Sequence, residues 1–143
     1  MKREALYSAL FGLLEQVPGV VTRSRRLRHW SDVGPAEQPA LFLAQGRQHA
    51  TPGDPAHGVP TKWLLHADVY LYVRTVKHGV PGSQINPLLD AIEAALAPAS
   101  PMQRTQTLGG LAEHCWIEGD IDTDEGTLGD QAVAIVPIRI LAT

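Results

Sequence analysis

The stretch Lys62-Trp63-Leu64-Leu65-His66-Ala67-Asp68-Val69-Tyr70-Leu71-Tyr72-Val73-Arg74-Thr75 alternates with a period of two. Trp63, Leu65, Ala67, Val69, Leu71 and Val73 fall on one face. Leu64, His66, Asp68, Tyr70, Tyr72 and Arg74 fall on the other, which is mixed. Successive side chains of a strand point to opposite faces, so the pattern predicts a strand with one apolar side.

Downstream of this strand, His78 to Asn86 reads as a turn-rich link. Pro87 suits the first turn of a helix, where its missing N–H is no loss. That helix carries the stripe Leu88, Leu89, Ile92 and Leu96 and stops at Pro98. Two further strands are expected, over Gln106 to Glu118 and over Gln131 to Leu141. In the latter, Ala132, Ala134, Val136, Ile138 and Ile140 alternate with Val133, Ile135, Pro137, Arg139 and Leu141. Pro137 cannot donate to a ladder and predicts an edge position or a bulge.

Upstream, residues 3–16 read as an amphipathic helix. Leu6, Leu10, Leu13, Leu14 and Val17 form its stripe, and Pro18-Gly19 ends it. Val20 to Leu27 reads as a strand with β-branched Val20, Val21 and Thr22, and Ala40 to Ala44 as a short buried one. Residues 45–61, rich in Gly, Pro, Gln and His, read as a long exposed connection that protrudes. The fold class is therefore α+β in the order α-β-β-β-α-β-β. A mostly antiparallel sheet carries two main helices packed on it. At 143 residues, 44% hydrophobic and 19% charged, the chain is expected to form a single domain over 1–143.

Charge is unevenly spread, although the net formal value is only -3. Residues 1–30 hold six basic and two acidic side chains, and residues 104–143 hold two basic and seven acidic. Such asymmetry points to contacts with partners. The basic run is Arg23, Arg25, Arg26 and Arg28, with Arg23 and Arg25 on one strand face and Arg26 and Arg28 on the other. It reads either as a solvated edge strand protected by charge or as a surface for an acidic partner or a phosphate backbone. The acidic run is Glu118, Asp120, Asp122, Asp124 and Glu125. With Gln48, His49 and Asp54 of the protruding connection, these residues form the candidate subunit or partner interface.

Motifs for chemistry do not assemble. His49, His57 and Asp54 share a loop at irregular spacing, which suits solvent-exposed side chains better than a metal site. Asp120, Asp122 and Asp124 open like a calcium loop, but Glu125 and Gln131 stand where that loop needs Gly and a bidentate Glu. The lone Cys115 lies in an apolar pattern beside Glu113 and Glu118, and reads as a buried thiol rather than a nucleophile. No serine sits in a nucleophile-elbow context, and no glycines form a phosphate-cradling loop. The expectation is a protein that is not an enzyme, with no cofactor, no metal and no catalytic residue. The N-terminus lacks an apolar signal core and no stretch has the length of a membrane helix, so a soluble protein made in a cytoplasm is expected.

Several stretches carry a family likeness. They are Ser24-Arg25-Arg26-Leu27-Arg28-His29-Trp30-Ser31-Asp32-Val33 and Glu37-Gln38-Pro39-Ala40-Leu41-Phe42-Leu43. Lys62-Trp63, Tyr70-Leu71-Tyr72-Val73 and Asn86-Pro87-Leu88-Leu89-Asp90-Ala91-Ile92 continue it. Gln106-Thr107-Leu108-Gly109-Gly110, Cys115-Trp116-Ile117-Glu118-Gly119 and Gly129-Asp130-Gln131-Ala132 complete it. Over nearly the whole chain the sequence resembles the tail terminator proteins of long-tailed bacteriophages. The resemblance implies a small α+β structural protein of the virion tail neck, synthesised and assembled in the host cytoplasm. It implies a homohexameric ring that caps the head-proximal end of the tail tube, stops tube elongation and offers a docking surface in head–tail joining. The implied partners are other copies of itself, the tail tube protein, and the head–tail connector or head-completion protein. No membrane and no sequence-specific nucleic acid are implied, although genomic DNA would pass through the ring. Two other readings stand beside it: another neck protein, such as a head-completion or tail-completion protein, and a small enzyme or ligand-binding module.

Overall fold

The stretch from Lys62 to Arg74 is the middle of the sheet. In the computed structural model, which describes residues 1–76 and 78–143, it is strand β3 (Lys62–Arg74). The other elements among the described residues are helix α1 (Arg3–Leu14), β1 (Thr22–Ser24), β2 (Ala40–Thr51), helix α2 (Pro81–Ala95), β4 (His114–Ile117), β5 (Asp122–Leu128) and β6 (Gln131–Ala142). The sheet order is β1-β2-β3-β6-β4, and β5 pairs β6 beside β4. All pairings are antiparallel except β1 with β2. The α+β class and the order of elements are as expected, with β5 as a further strand inside the acidic connection.

The apolar face of the sheet is the one its periodicity marks. Leu65, Ala67, Val69, Leu71 and Val73 of β3 are buried with Ala132, Ala134, Val136, Ile138 and Ile140 of β6. Leu6, Tyr7, Leu10 and Leu14 of α1 and Ile85, Leu88 and Ile92 of α2 close over them, making one core. Among the described residues, no long helix lies on the other face. Only the segment 27–38, with two short 3₁₀ turns, crosses one end of it. There Val33, Ala40, Phe42 and Tyr72 form a small second cluster.

Four boundaries differ from expectation, each for a physical reason. The exposed connection expected over 45–61 is shorter, because β2 runs on to Thr51 and pairs with β3 as far as Lys62. Main-chain pairing with a strong neighbour carries polar residues that have no apolar period of their own. Helix α2 starts at Pro81 rather than at Pro87, which sits inside it. Pro87 and Ser83 are both exposed, so the carbonyl that Pro87 leaves without a donor faces water. The strand expected over Gln106–Glu118 shrinks to β4, since Leu108, Gly109 and Gly110 all have positive φ and turn the chain. The strand expected from Val20 to Leu27 shrinks to three residues, as its arginines leave the sheet for other partners.

Pro137 lies in a central strand and yet at a local edge. Its carbonyl accepts from the Glu118 N–H at 3.2 Å, toward the β4–β5 side. The N–H and C=O of one strand residue point the same way, so the missing donor faces the gap where the chain passes from β4 to β5. Among the described residues, no helix is long and apolar enough to cross a membrane.

Cys115 is buried on β4, and burial pushes its thiol up to about 12. It should therefore resist thiol reagents at pH 8 in the folded protein and react fully in denaturant. Rapid labelling of the folded chain in a dithionitrobenzoate assay would contradict this placement.

Candidate assembly surface

The sheet order puts the two charged runs on opposite edges. β1, carrying Arg23 and followed by Arg25 and Arg26, is one edge, and β4 with β5 forms the other. Four inter-strand steps separate them, about 19 Å at ~4.8 Å per step. No salt bridge among the described residues joins the two runs.

Most of the basic run turns out to hold the subunit together. The Arg23 guanidinium donates to the Val20 carbonyl at 3.1 Å and to the Val17 carbonyl, tying down the turn after α1. Arg25 forms an ion pair with Glu4 on α1 and donates to Ser8 Oγ at 3.2 Å. Arg28 grips both Glu37 carboxylate oxygens at 2.9 Å and donates to the Asp32 carbonyl at 2.6 Å. Arg26 is different. It is exposed and makes no salt bridge among the described residues, and only its backbone N–H bonds, to Ser24 Oγ.

The Arg28–Glu37 fork pins the segment that crosses the open face. Glu37 also accepts the Gly34 N–H at 2.9 Å, and Tyr72 donates from its hydroxyl to the Arg28 carbonyl at 2.7 Å. Arg28 first, then the Gly34 N–H, hold the Glu37 carboxyl at about 2, against an ordinary 4.5. Because the folded value is depressed, its stabilising effect is full above about pH 4.5 and is lost as pH falls through about 2. Protection of the Gly34 amide in hydrogen exchange should fall across that window. Glu37→Gln should lower it already at pH 7, and unchanged protection in both cases would contradict the role.

The protruding hairpin uses its polar residues locally. Gln48 accepts from Arg3 Nε at 2.7 Å, and the Arg3 guanidinium lies 4.5 Å over the Trp63 ring. Asp54 caps a short turn by accepting the Ala56 N–H at 3.0 Å, and it pairs with His57. His49 is exposed.

A bulge interrupts β2 where Gln45 pairs Ala67 and Gln48 pairs Leu65, so Gly46 and Arg47 together oppose His66. A Cβ on Gly46 would lie 3.2 Å from His66 Cβ and 3.3 Å from its carbonyl oxygen, so the bulge wants glycine. It aims Arg47 onto the open face beside His66, Asp68 and Arg139, around a polar hollow of about 330 Å³. Burial, then Arg139 and Arg47, lower the His66 pKa. Next along the face is an apolar hollow of about 450 Å³ lined by Leu27, Trp30, Tyr70, Tyr72, Val133 and Ile135. The sequence reading missed Arg47 and this face; the only signal for it was a glycine beside an arginine within a polar run.

The acidic run is freer. Glu118 accepts from Trp116 Nε1 at 3.2 Å and lies 3.8 Å from Arg139. Asp124 accepts the Thr127 and Gly126 N–H groups, which lower its pKa, and so shapes the irregular turn of β5. Glu125 rests against Gly82 of α2, where an added Cβ would meet its carboxylate at 2.5 Å. Asp120 and Asp122 are exposed, and neither forms a salt bridge among the described residues. Among the described residues, no group of three His, Cys, Asp or Glu side chains is placed to hold a metal ion.

No protein-family model matches the sequence, and no curated protein matches it. Solved structures with a similar fold do exist. One is a chain of the virion of a native gene transfer agent particle, 12% identical, covering 97% of this chain and 92% of that chain with a TM-score of 0.53. A second, whose name states no function, is 16% identical, covers 98% of this chain and 96% of that chain, and has a TM-score of 0.53. At these identities the likeness is one of fold.

Proposed function

We propose that this chain is a structural subunit of a phage-like particle, and specifically its tail terminator. It forms a hexameric ring at the head-proximal end of the tail tube, stops tube elongation there and presents a surface to the head–tail connector or head-completion protein. The observation that carries the reading is the placement of a basic and an acidic edge on opposite sides of one sheet. Such a subunit associates head to tail, and a head-to-tail contact closes into a ring when its rotation allows. The family likeness along the sequence supports the reading, as does a fold shared with a chain of a gene transfer agent virion. On this reading the protein is not an enzyme and works through its surfaces alone.

Removal of the gene from a particle-producing strain tests the role. The expected result is tube-like tails of irregular, extended length with heads unattached, and normal tails once the protein is supplied again. Tails of normal length beside heads that lose their DNA would instead indicate a head-completion protein.

A further inference from the structure

The two charged edges are also two unpaired main-chain edges. β1 pairs β2 only over Ala40–Phe42. Beyond Phe42, no strand among the described residues pairs the outer edge of β2 from Leu43 to Thr51. On the far side, β5 pairs β6 with one edge and leaves the other open. Unpaired edges of this kind are templates for strand addition.

We propose that neighbouring copies join by β-strand addition, β5 of one subunit pairing with the outer edge of β2 of the next. The inference rests on the ring reading above and names the contact that would build it. Direction fits, because β2 and β6 both run opposite to β3, and β5 runs opposite to β6. In a ring whose axis follows the strands, β5 and the next β2 therefore meet antiparallel, the more stable ladder. Length fits, since β5 lies along β6 from Ile135 to Gln131, five residues or about 17 Å, and the nine open residues of β2 span about 30 Å at ~3.4 Å per residue.

Charge fits as well. Arg47 is exposed on the open part of β2, and Arg26 follows β1 at the same edge, neither in a salt bridge among the described residues. Asp120, Asp122, Asp124 and Glu125 border the incoming strand. Like charges keep β2 from pairing with β2 and β5 with β5, while unlike charges favour the mixed pair. One subunit cannot pair its own β5 with its own β2, because β3 and β6 lie between them.

Cross-linking on assembled tails tests the contact. Arg47→Cys or His49→Cys is combined with Asp122→Cys or Asp124→Cys in one chain, and tails carrying each pair are imaged and then mildly oxidised. Directly opposed residues of an antiparallel pair have Cβ atoms about 4.5–5.5 Å apart, near disulfide range. The expected result is a ladder of covalent multimers ending in the closed ring for at least one pair, and none for the single variants. Multimers from a single variant, or an intact ring that no pair cross-links, overturn strand addition while leaving the ring reading in place. Tails that lack a ring of this protein overturn both.

Discussion

Reversing Arg26 and Arg47 to Glu should reduce tail completion by about 10–100-fold, because like-charge juxtaposition at an interface costs several kcal/mol. Both side chains are exposed and outside any salt bridge among the described residues, so the monomer should fold as before. Arg25 is a poorer target. Its reversal would break the ion pair with Glu4 inside the subunit and mix folding with assembly. Adding Asp120→Lys and Asp122→Lys, both exposed and in no salt bridge among the described residues, to the reversed chain should restore part of the loss. The wild-type rate should itself fall with salt, since steering between exposed charges is screened over about 8 Å at physiological ionic strength. Completion at the normal rate by the double reversal, measured as attached heads per tail, would contradict the interface.

Ile138→Ala should have the largest effect on stability, about 2–5 kcal/mol, the range for truncating a fully buried aliphatic side chain. Ile138 is wholly buried on β6, the strand that β3 and β4 flank. That is a large share of the roughly 5–15 kcal/mol holding a domain of this size together. Ile135→Ala, three positions away on the opposite face beside Tyr70, should cost about 1 kcal/mol or less. Denaturant midpoints of the two variants decide the matter, and equal losses would contradict the assignment of a closed and an open face.

The two faces were legible because period two survives wherever one side of a strand is packed. β6 shows it over its whole length, and its buried residues are those its alternation marks; β3 shows it from Leu65 to Leu71, past which Tyr72 is buried in the second cluster on the other face. Helix α1 was legible from its leucines, although Tyr7 also joins the buried stripe. What failed was local pattern in polar stretches. Residues 45–51 and 122–128 become strands because β3 and β6 offer ladders to them, and nothing in their own composition says so. The candidate interface was legible as two charged runs but not as a surface. Arg25 finds Glu4 twenty-one residues away, and Arg28 finds Glu37 across a turn, so three of four arginines serve the fold. Only the strand order separates the remaining charges onto opposite edges, and strand order lies beyond the reach of periodicity. Arg47 escaped notice because a bulge, not a motif, brings it to the face.

The most direct measurement is a cryo-electron microscopy reconstruction of tails that contain this protein, made without imposed symmetry at the head-proximal end. The account predicts six copies in one closed ring capping the tube, with β5 of each copy beside β2 of the next. This chain at any other place in the particle, or a ring of any other number at the tube end, would contradict it.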